Sequence, residues 1–432
     1  MDTQPQTEQQ IVRRTLRHLM PLLIAAMIIS YIDRQNVAFA KLQIVSALRM
    51  TETGYGLGSS LFFIGYILFD LPSALGVHRY GARLWLTRIM FTWGIVTILL
   101  GFASTPVHFF ILRFLLGAAE AGFYPGCIYY MTLWFPQQHR VRALGIFTVG
   151  APLKSMVGSV LGGVLLDLNG KLGLAGWQWT FVMTGLPAIV MAGVLLVYLP
   201  KSPREAKFLN VEEQNTLLAA VRRDTPENVT HGNPLSALWD KRVIGFGVVY
   251  MFLSTALYGV NYWLPTIVKG FGIGATRNGL INMIPWGLAV LLLLTLPRRL
   301  KGERAVLTAI SVTALVGLVC FVSSVMAPGN ALRFAAIALG APCVQVMYPL
   351  FWSITTRFFR GARAASSVAI INAIGLMGGF LAQNLMPWVG HVTKNAVMPM
   401  LAPAACLTIL GLVALLGRRV LRVPAQATNA AV

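Results

Sequence analysis

The chain has 432 residues, 56% of them hydrophobic and only 11% charged, whereas soluble domains are about 25% charged. That composition excludes an ordinary soluble enzyme and points to a multi-pass membrane protein. A formal net charge of +21 would suit a nucleic-acid partner, but the basic residues are dispersed among short loops, which excludes that partner.

A membrane-crossing helix needs roughly 20 mostly apolar residues, and twelve such runs are predicted. The first, 19–42, follows the polar start "MDTQPQTEQQ", lacks a signal-type cleavage site, and ends in "SYIDRQNVAFAKLQ", where Asp33 and Arg34 stand side by side. The second, 55–77, holds Tyr66 and Asp70. It leads through "HRYGAR", with His78, Arg79, Gly81 and Arg83, into the third at 84–103. Asp70 is read as ordering that cytoplasmic loop. The fourth run, 107–134, carries Arg113 and Glu120, and the fifth, 142–166, carries Lys154 and the string "GSVLGG". The sixth is 178–199.

A polar segment follows, 200–242, in which "KSPREAKFLNVEEQNTLLAAVRRD" predicts a short amphipathic helix capped by Asn210 with Glu213 three residues on. The remaining runs are 243–267 with Tyr258 and Asn261, 277–297, 305–326, 331–355 with Trp352, 364–388 with Asn372 and Gln383, and 398–417. The four cysteines, Cys127, Cys320, Cys343 and Cys406, fall inside these runs without metal-type spacing and are expected to be free and buried.

Lys41, Arg49, Lys171, Lys269, Arg277, Arg333 and Lys394 are the seven basic residues on one alternating set of loops, three lie inside spans (Arg34, Arg113, Lys154), and all others lie on the opposite set and the termini. The positive-inside rule then puts both termini and the long middle segment in the cytoplasm. The expected organisation is an N-terminal six-helix bundle at 1–199, a cytoplasmic linker at 200–242 and a C-terminal six-helix bundle at 243–432. Tyr124-Pro125 and Tyr348-Pro349, each followed after eight intervening residues by an aromatic pair, suggest that the halves are repeats.

Charged side chains deep in a bilayer cost at least about 2.5 kcal/mol on insertion scales and are functional by default. Five such residues are expected: Asp33, Arg34, Arg113, Glu120 and Lys154. At about 1.5 Å per residue, Asp33 and Arg113 lie at similar depth and could pair, as could Glu120 and Lys154. Permanent salt bridges that pin helices are the alternative reading. With both acids ionised the five sum to +1, and with both protonated to +3. A cavity that gains positive charge on protonation favours an anion, and anion binding favours protonation in return. The glycines of "GSVLGG" and "GLMGG" are expected to serve close helix packing. Tyr31, Tyr66, Tyr258, Asn261, Trp352, Asn372 and Gln383 are candidates to hold ligand hydroxyls where they face a cavity.

With "YIDRQNVAFA", "HRYGAR", "RFLLGAAEAGFYPG", "GWQWTFVMTGLPA", "SPREAKFL", "YGVNYWLP" and "FWSITTRFF", nearly the whole chain resembles the major facilitator superfamily, and within it the anion:cation symporter family of organic-acid importers. The resemblance implies an all-α fold of twelve transmembrane helices in two pseudo-symmetric bundles that rock about a central site. It implies that Arg34 and Tyr31 touch the substrate carboxylate, that Asp33 and Glu120 are the coupling acids, and that Arg113 responds to their protonation. Trp352 and Asn372 match positions that line the sugar-acid site in relatives. The sequence departs from the family where His78 replaces the usual Asp of the loop motif, where "PRRLKGER" lacks the equivalent Asp, and where Lys154 adds a cation that would suit a second acidic group on the substrate.

The expected function is proton-coupled import of a small organic anion across the bacterial inner membrane, by a monomer, with no cofactor, metal or catalytic residue. Aldonates, tartrate and other hydroxy-dicarboxylates, and aromatic acids remain open as substrates. A drug:proton antiporter is the rival, against which "GSVLGG" carries Ser159 where such exporters usually have proline. An intramembrane enzyme and a non-transporting sensor on the same fold are the others.

Overall fold

Residues 4–148, 150–223, 239–300, 302–359 and 364–420 are described in the computed structural model, and among them all regular structure is helical. The α-helices, in chain order, are α1 (Gln4–Ala47), α2 (Glu52–Tyr80), α3 (Ala82–Leu100), α4 (Pro106–Glu120), α5 (Phe123–Trp134), α6 (Gln137–Thr148), α7 (Gly150–Leu166), α8 (Gly176–Tyr198), α9 (Val211–Arg223), α10 (Lys241–Lys269), α11 (Ala275–Arg299), α12 (Glu303–Met326), α13 (Asn330–Phe358), α14 (Ala364–Thr393) and α15 (Leu401–Val420). Among the described residues, 11 helical stretches are long and apolar enough to cross a membrane, α4 and α5 counting together as one, and Ser155–Leu166 within α7 is a shorter apolar segment. The protein is an all-α, multi-pass membrane protein.

The chain forms two compact units. The first comprises Met1–Thr230 together with Leu264–Met283, and the second comprises His231–Trp263 with Ile284–Val432. In the first unit, glycines let helix backbones approach where a side chain would not fit. A Cβ added at Gly117 of α4 would collide with the Phe62 carbonyl of α2, and one at Gly65 with the Phe114 carbonyl. Across α3 and α8, Gly94 and Gly185 face each other in the same way. These two crossings bring the polar positions of α2, α3, α4 and α8 against α1. In the expected "GSVLGG" string, Gly158 lies on Gln35 and Gly162 on Phe39, both of α1.

Because a backbone carbonyl cannot move aside like a side-chain tip, Gly117→Ala is expected to cost about 1–3 kcal/mol through overpacking. Gly193→Ala, with nothing within 4 Å of the added carbon, should be neutral, and melting temperatures of the two purified variants would check the contrast.

The run expected as one helix over 107–134 is instead broken. Ala121 takes ψ 138° and Gly122 takes φ +81°, so α4 stops at Glu120 and α5 starts at Phe123. The left-handed conformation favours glycine, and Ser73 of α2 closes the space a side chain at Gly122 would need. The second Tyr-Pro pair lies differently, since Tyr348-Pro349 sits inside the continuous α13.

The polar middle segment folds onto the first unit. Asn210 and Glu213 form the expected reciprocal cap, with Glu213 N–H donating to Asn210 Oδ1 at 2.8 Å and Asn210 N–H to Glu213 Oε2 at 2.9 Å. Glu213 also pairs with Arg14 at 3.3 Å, and the Phe208 ring stacks on His18 at 4.4 Å. In the second unit α12 packs on α13 and α15, where Gly340 meets Phe321 and Gly317 meets Leu407. Gly375 and Gly378 of "GLMGG" lie against Tyr250 and the Met251 carbonyl of α10. All four cysteines are free, but Cys320 is only partly buried, correcting the expectation. It shares the α12 face that carries exposed Val316 and Val319.

Candidate functional site

Helices α1 and α4 bring an arginine and a carboxylate together deep in the first unit. Arg34 Nε donates to Glu120 Oε1 at 2.8 Å, and Arg34 Nη2 lies 2.7 Å from the same oxygen. Ser30 Oγ, one helical turn before Arg34, donates to that oxygen too, at 3.1 Å. The other oxygen, Glu120 Oε2, is buried and has no hydrogen-bond partner among the described residues. The Glu120 side chain is fully buried, whereas that of Arg34 is 22% exposed. Arg34 also lies over the rings of Phe62 and Tyr66 of α2, at 5.5 and 5.2 Å. Aromatic faces support a guanidinium charge without neutralising it. Arg34 is thus the accessible member of the pair and Glu120 its buried counter-charge.

Asp33, the neighbour of Arg34, points elsewhere. Its carboxylate accepts from Asn36 Nδ2 (3.2 Å) on α1, from Thr97 Oγ1 (3.2 Å) on α3 and from Thr184 Oγ1 (3.4 Å) on α8. Arg113, buried on α4, donates to the Ser59 carbonyl at 2.9 Å and covers the Phe62 ring at 5.0 Å, with its charge close enough to act on Asp33. Asp33, Arg34, Tyr66, Arg113 and Glu120 are therefore brought into one cluster. The side chains of Tyr31 and Lys154, two other expected members, lie outside the described residues, so the Glu120–Lys154 pairing does too.

Sequence reading passed over Ser30, Asn36, Thr97 and Thr184, although Thr184 stands in "GWQWTFVMTGLPA" and Ser30 opens the string that holds Asp33. It also misplaced Asp70. Instead of ordering the α2–α3 loop, Asp70 Oδ1 accepts from Gly122 N–H at 3.2 Å, capping the break that follows Glu120. The physical reason is reach: Asp70 lies near the level where α4 ends, and the freed N–H at the start of α5 requires an acceptor.

At the loop itself, the His78 ring packs on Tyr129 at 4.2 Å, Arg79 covers Tyr80 at 5.4 Å, and Gly81 takes φ +83°. Arg83 donates to the Leu196 carbonyl and lies 3.9 Å from Glu205. In the second unit, Trp352 meets Tyr250 edge-on at 5.1 Å, Tyr258 lies on α10 with Tyr250, and Asn261 spends an amide N–H on the Leu257 carbonyl at 2.8 Å. Asn372 is half-buried on α14, and Gln383, buried on the same helix, leaves Oε1 without a partner among the described residues.

A charge cluster inside a helical membrane protein narrows the class, and comparison decides the family. The profile described as Major Facilitator Superfamily matches residues 23–383. The chain belongs to that superfamily. Among the relatives of this superfamily member, a quinolone resistance transporter of Acinetobacter baumannii is 37% identical, over 87% of each chain. A putative tartrate transporter of Agrobacterium vitis is 35% identical, over 90% of each chain. The inward-open structure of the xylose transporter XylE from E. coli superposes with a TM-score of 0.74, covering 93% of this chain and 96% of that one, at 14% identity. At that identity the likeness is one of fold. As a major facilitator protein the chain is a transporter and not an enzyme.

Proposed function

We propose that this transporter is a proton-coupled importer of a small organic anion, carrying a sugar acid, a hydroxy-dicarboxylate or an aromatic carboxylate across the bacterial inner membrane. It works as a monomer by alternating access, with both termini cytoplasmic, bundles at 1–199 and 243–432 and a linker at 200–242. Arg34 takes the carboxylate. Tyr31, Tyr66, Lys154, Tyr258, Asn261, Trp352 and Asn372 supply further contacts, and Asp33, Glu120 and Arg113 link binding to the proton. His78, Arg79, Gly81 and Arg83 form the gating loop.

One observation carries this reading: a partly exposed guanidinium whose Nε and Nη2 converge on a single oxygen of a fully buried carboxylate. Glu120 and a substrate carboxylate compete for the same donors. Protonating Glu120 removes its negative charge and leaves Arg34 to be matched by an anion, since net charge is costly in a low-dielectric site. The tartrate-transporter relative supports a carboxylate substrate. The quinolone-resistance relative favours a second reading, in which the same cluster drives export.

The test uses purified protein and the change of melting temperature with aldonates, tartrate, phthalate, hydroxyphenylacetates and quinolones, at acidic and at slightly alkaline pH. Import predicts stabilisation by one class of acid, stronger at acidic pH, and uptake of that acid into proteoliposomes whose exterior is made acidic. Stabilisation by quinolones alone, with no acid bound at either pH, would select the export reading.

A further inference from the structure

The two acids of the cluster differ in what surrounds them. Glu120 is matched by Arg34 and Ser30, donors suited to its ionised form. Asp33 is matched by two threonine hydroxyls and an amide, which are neutral. A hydroxyl both donates and accepts, so it satisfies a carboxylate by donating and a carboxylic acid by accepting. Thr184 is placed for this exchange. Its oxygen lies 3.4 Å from Asp33 Oδ1 and, within its own helix, 2.8 Å from the Thr180 carbonyl and 3.3 Å from the Phe181 carbonyl, so its one hydrogen can go to the carboxylate or back to the helix. Asn36 Nδ2 holds the same oxygen at 2.5 Å, fixing it while the hydrogen turns. Thr97 approaches from α3, within 3.2 Å of Oδ2, and is fully buried.

We infer that Thr97 and Thr184 are positioning residues which let Asp33 gain and lose a proton with no charged group moving. With Asp33 ionised, both hydroxyls donate to it. With Asp33 protonated, Thr184 turns its hydrogen to the Thr180 carbonyl, and the acid proton is accepted by a threonine oxygen. The charged groups that act on Asp33 come from α4, namely Glu120 and Arg113. Thr97 of α3 and Thr184 of α8 approach it with neutral groups, its own helix adds Arg34 next in sequence, and the Lys154 side chain of α7 lies outside the described residues. This inference rests on the reading of Asp33 as a coupling acid, and gives the two acids different tasks: Glu120 exchanges its proton in direct competition with the anion, whereas Asp33 exchanges one apart from it.

The test needs no substrate. The infrared carbonyl band of protonated Asp33, identified by its loss in Asp33→Asn, is titrated in full-length protein in lipid films. Removing a donor to the ionised form in Thr184→Val or Thr97→Val should move the midpoint to higher pH by about one unit, equivalent to about 1.4 kcal/mol. Thr184→Ser and Thr97→Ser should return it. A midpoint unmoved in the valine variants, or moved equally by serine, overturns the inference. If the valine variants do not fold, the wild-type band decides: a carbonyl frequency typical of a hydrogen-bonded acid supports the hydroxyl pair, and a free-carbonyl frequency overturns it. A wild-type Asp33 band that does not titrate at all would sink the coupling role itself, which is a separate failure.

Discussion

Glu120→Gln is expected to leave anion binding intact and to remove most of its dependence on pH. Glutamine has the shape of protonated glutamic acid and carries no charge, so the variant is held in the state that frees Arg34. In the wild-type protein, binding that takes up one proton weakens by up to about tenfold per pH unit as pH rises through the range where that proton is lost. The sign follows from competition, because ionised Glu120 occupies Arg34 Nε and Nη2 through one oxygen. Titration calorimetry at several pH values would give a flat affinity in Glu120→Gln, and proteoliposomes would show exchange without proton-driven accumulation. A variant that keeps the wild-type slope would show that Glu120 is not the group that competes with the anion.

The second large effect belongs to Arg34. In Arg34→Ala the substrate loses its charge-assisted donors, each contributing about 1.5–3 kcal/mol, so affinity should fall by about a hundredfold or more. Stability should suffer as well. Removing one partner of a buried pair strands the other charge, at a cost of about 3–5 kcal/mol, and Glu120 is the fully buried partner. The double variant Arg34→Ala/Glu120→Gln should therefore melt higher than Arg34→Ala alone while binding no better. Arg34→Lys should rescue only part of the affinity, since a lysine is a point charge without the planar fork of guanidinium nitrogens. An Arg34→Ala protein that bound the same acid as tightly as wild type would place the anion elsewhere.

These two positions were legible in the sequence because charge stands out in an apolar run. Asp33, Arg34, Arg113 and Glu120 are conspicuous against their neighbours whatever the fold, and helical rise gives their depth. Rotation about the helix axis is not given by depth. Asp33 and Arg34 are adjacent, so they project about 100° apart on α1, and the rotation of α1 decides which of them faces which partner. Depth allows Asp33 to pair with Arg113 but does not name its hydrogen-bond partners; the structure gives Asp33 hydroxyl and amide donors, keeps the Arg113 charge close enough to act on it, and assigns Arg34 to Glu120.

Threonine was passed over for a related reason. In most helices its hydroxyl donates to the carbonyl one turn earlier, as Thr184 does to Thr180, and nothing local reveals that a carboxylate waits on the other side. The break after Glu120 was likewise hidden. A single Gly122 in an apolar run costs about 1 kcal/mol in a helix and is often tolerated; Asp70 and Ser73 of another helix make its left-handed turn the stable choice.

By itself the sequence determined that this is a many-helix membrane protein, where its charges lie in depth, and that glycine strings would serve close packing, because composition and periodicity are local properties of the chain. Only the tertiary structure decided which acid faces which donor, where the fourth run breaks, and which neutral groups surround Asp33. Each of these depends on the rotation and contact of helices distant in sequence, and glycine-lined crossings such as Gly117 on Phe62 and Gly94 on Gly185 set that rotation.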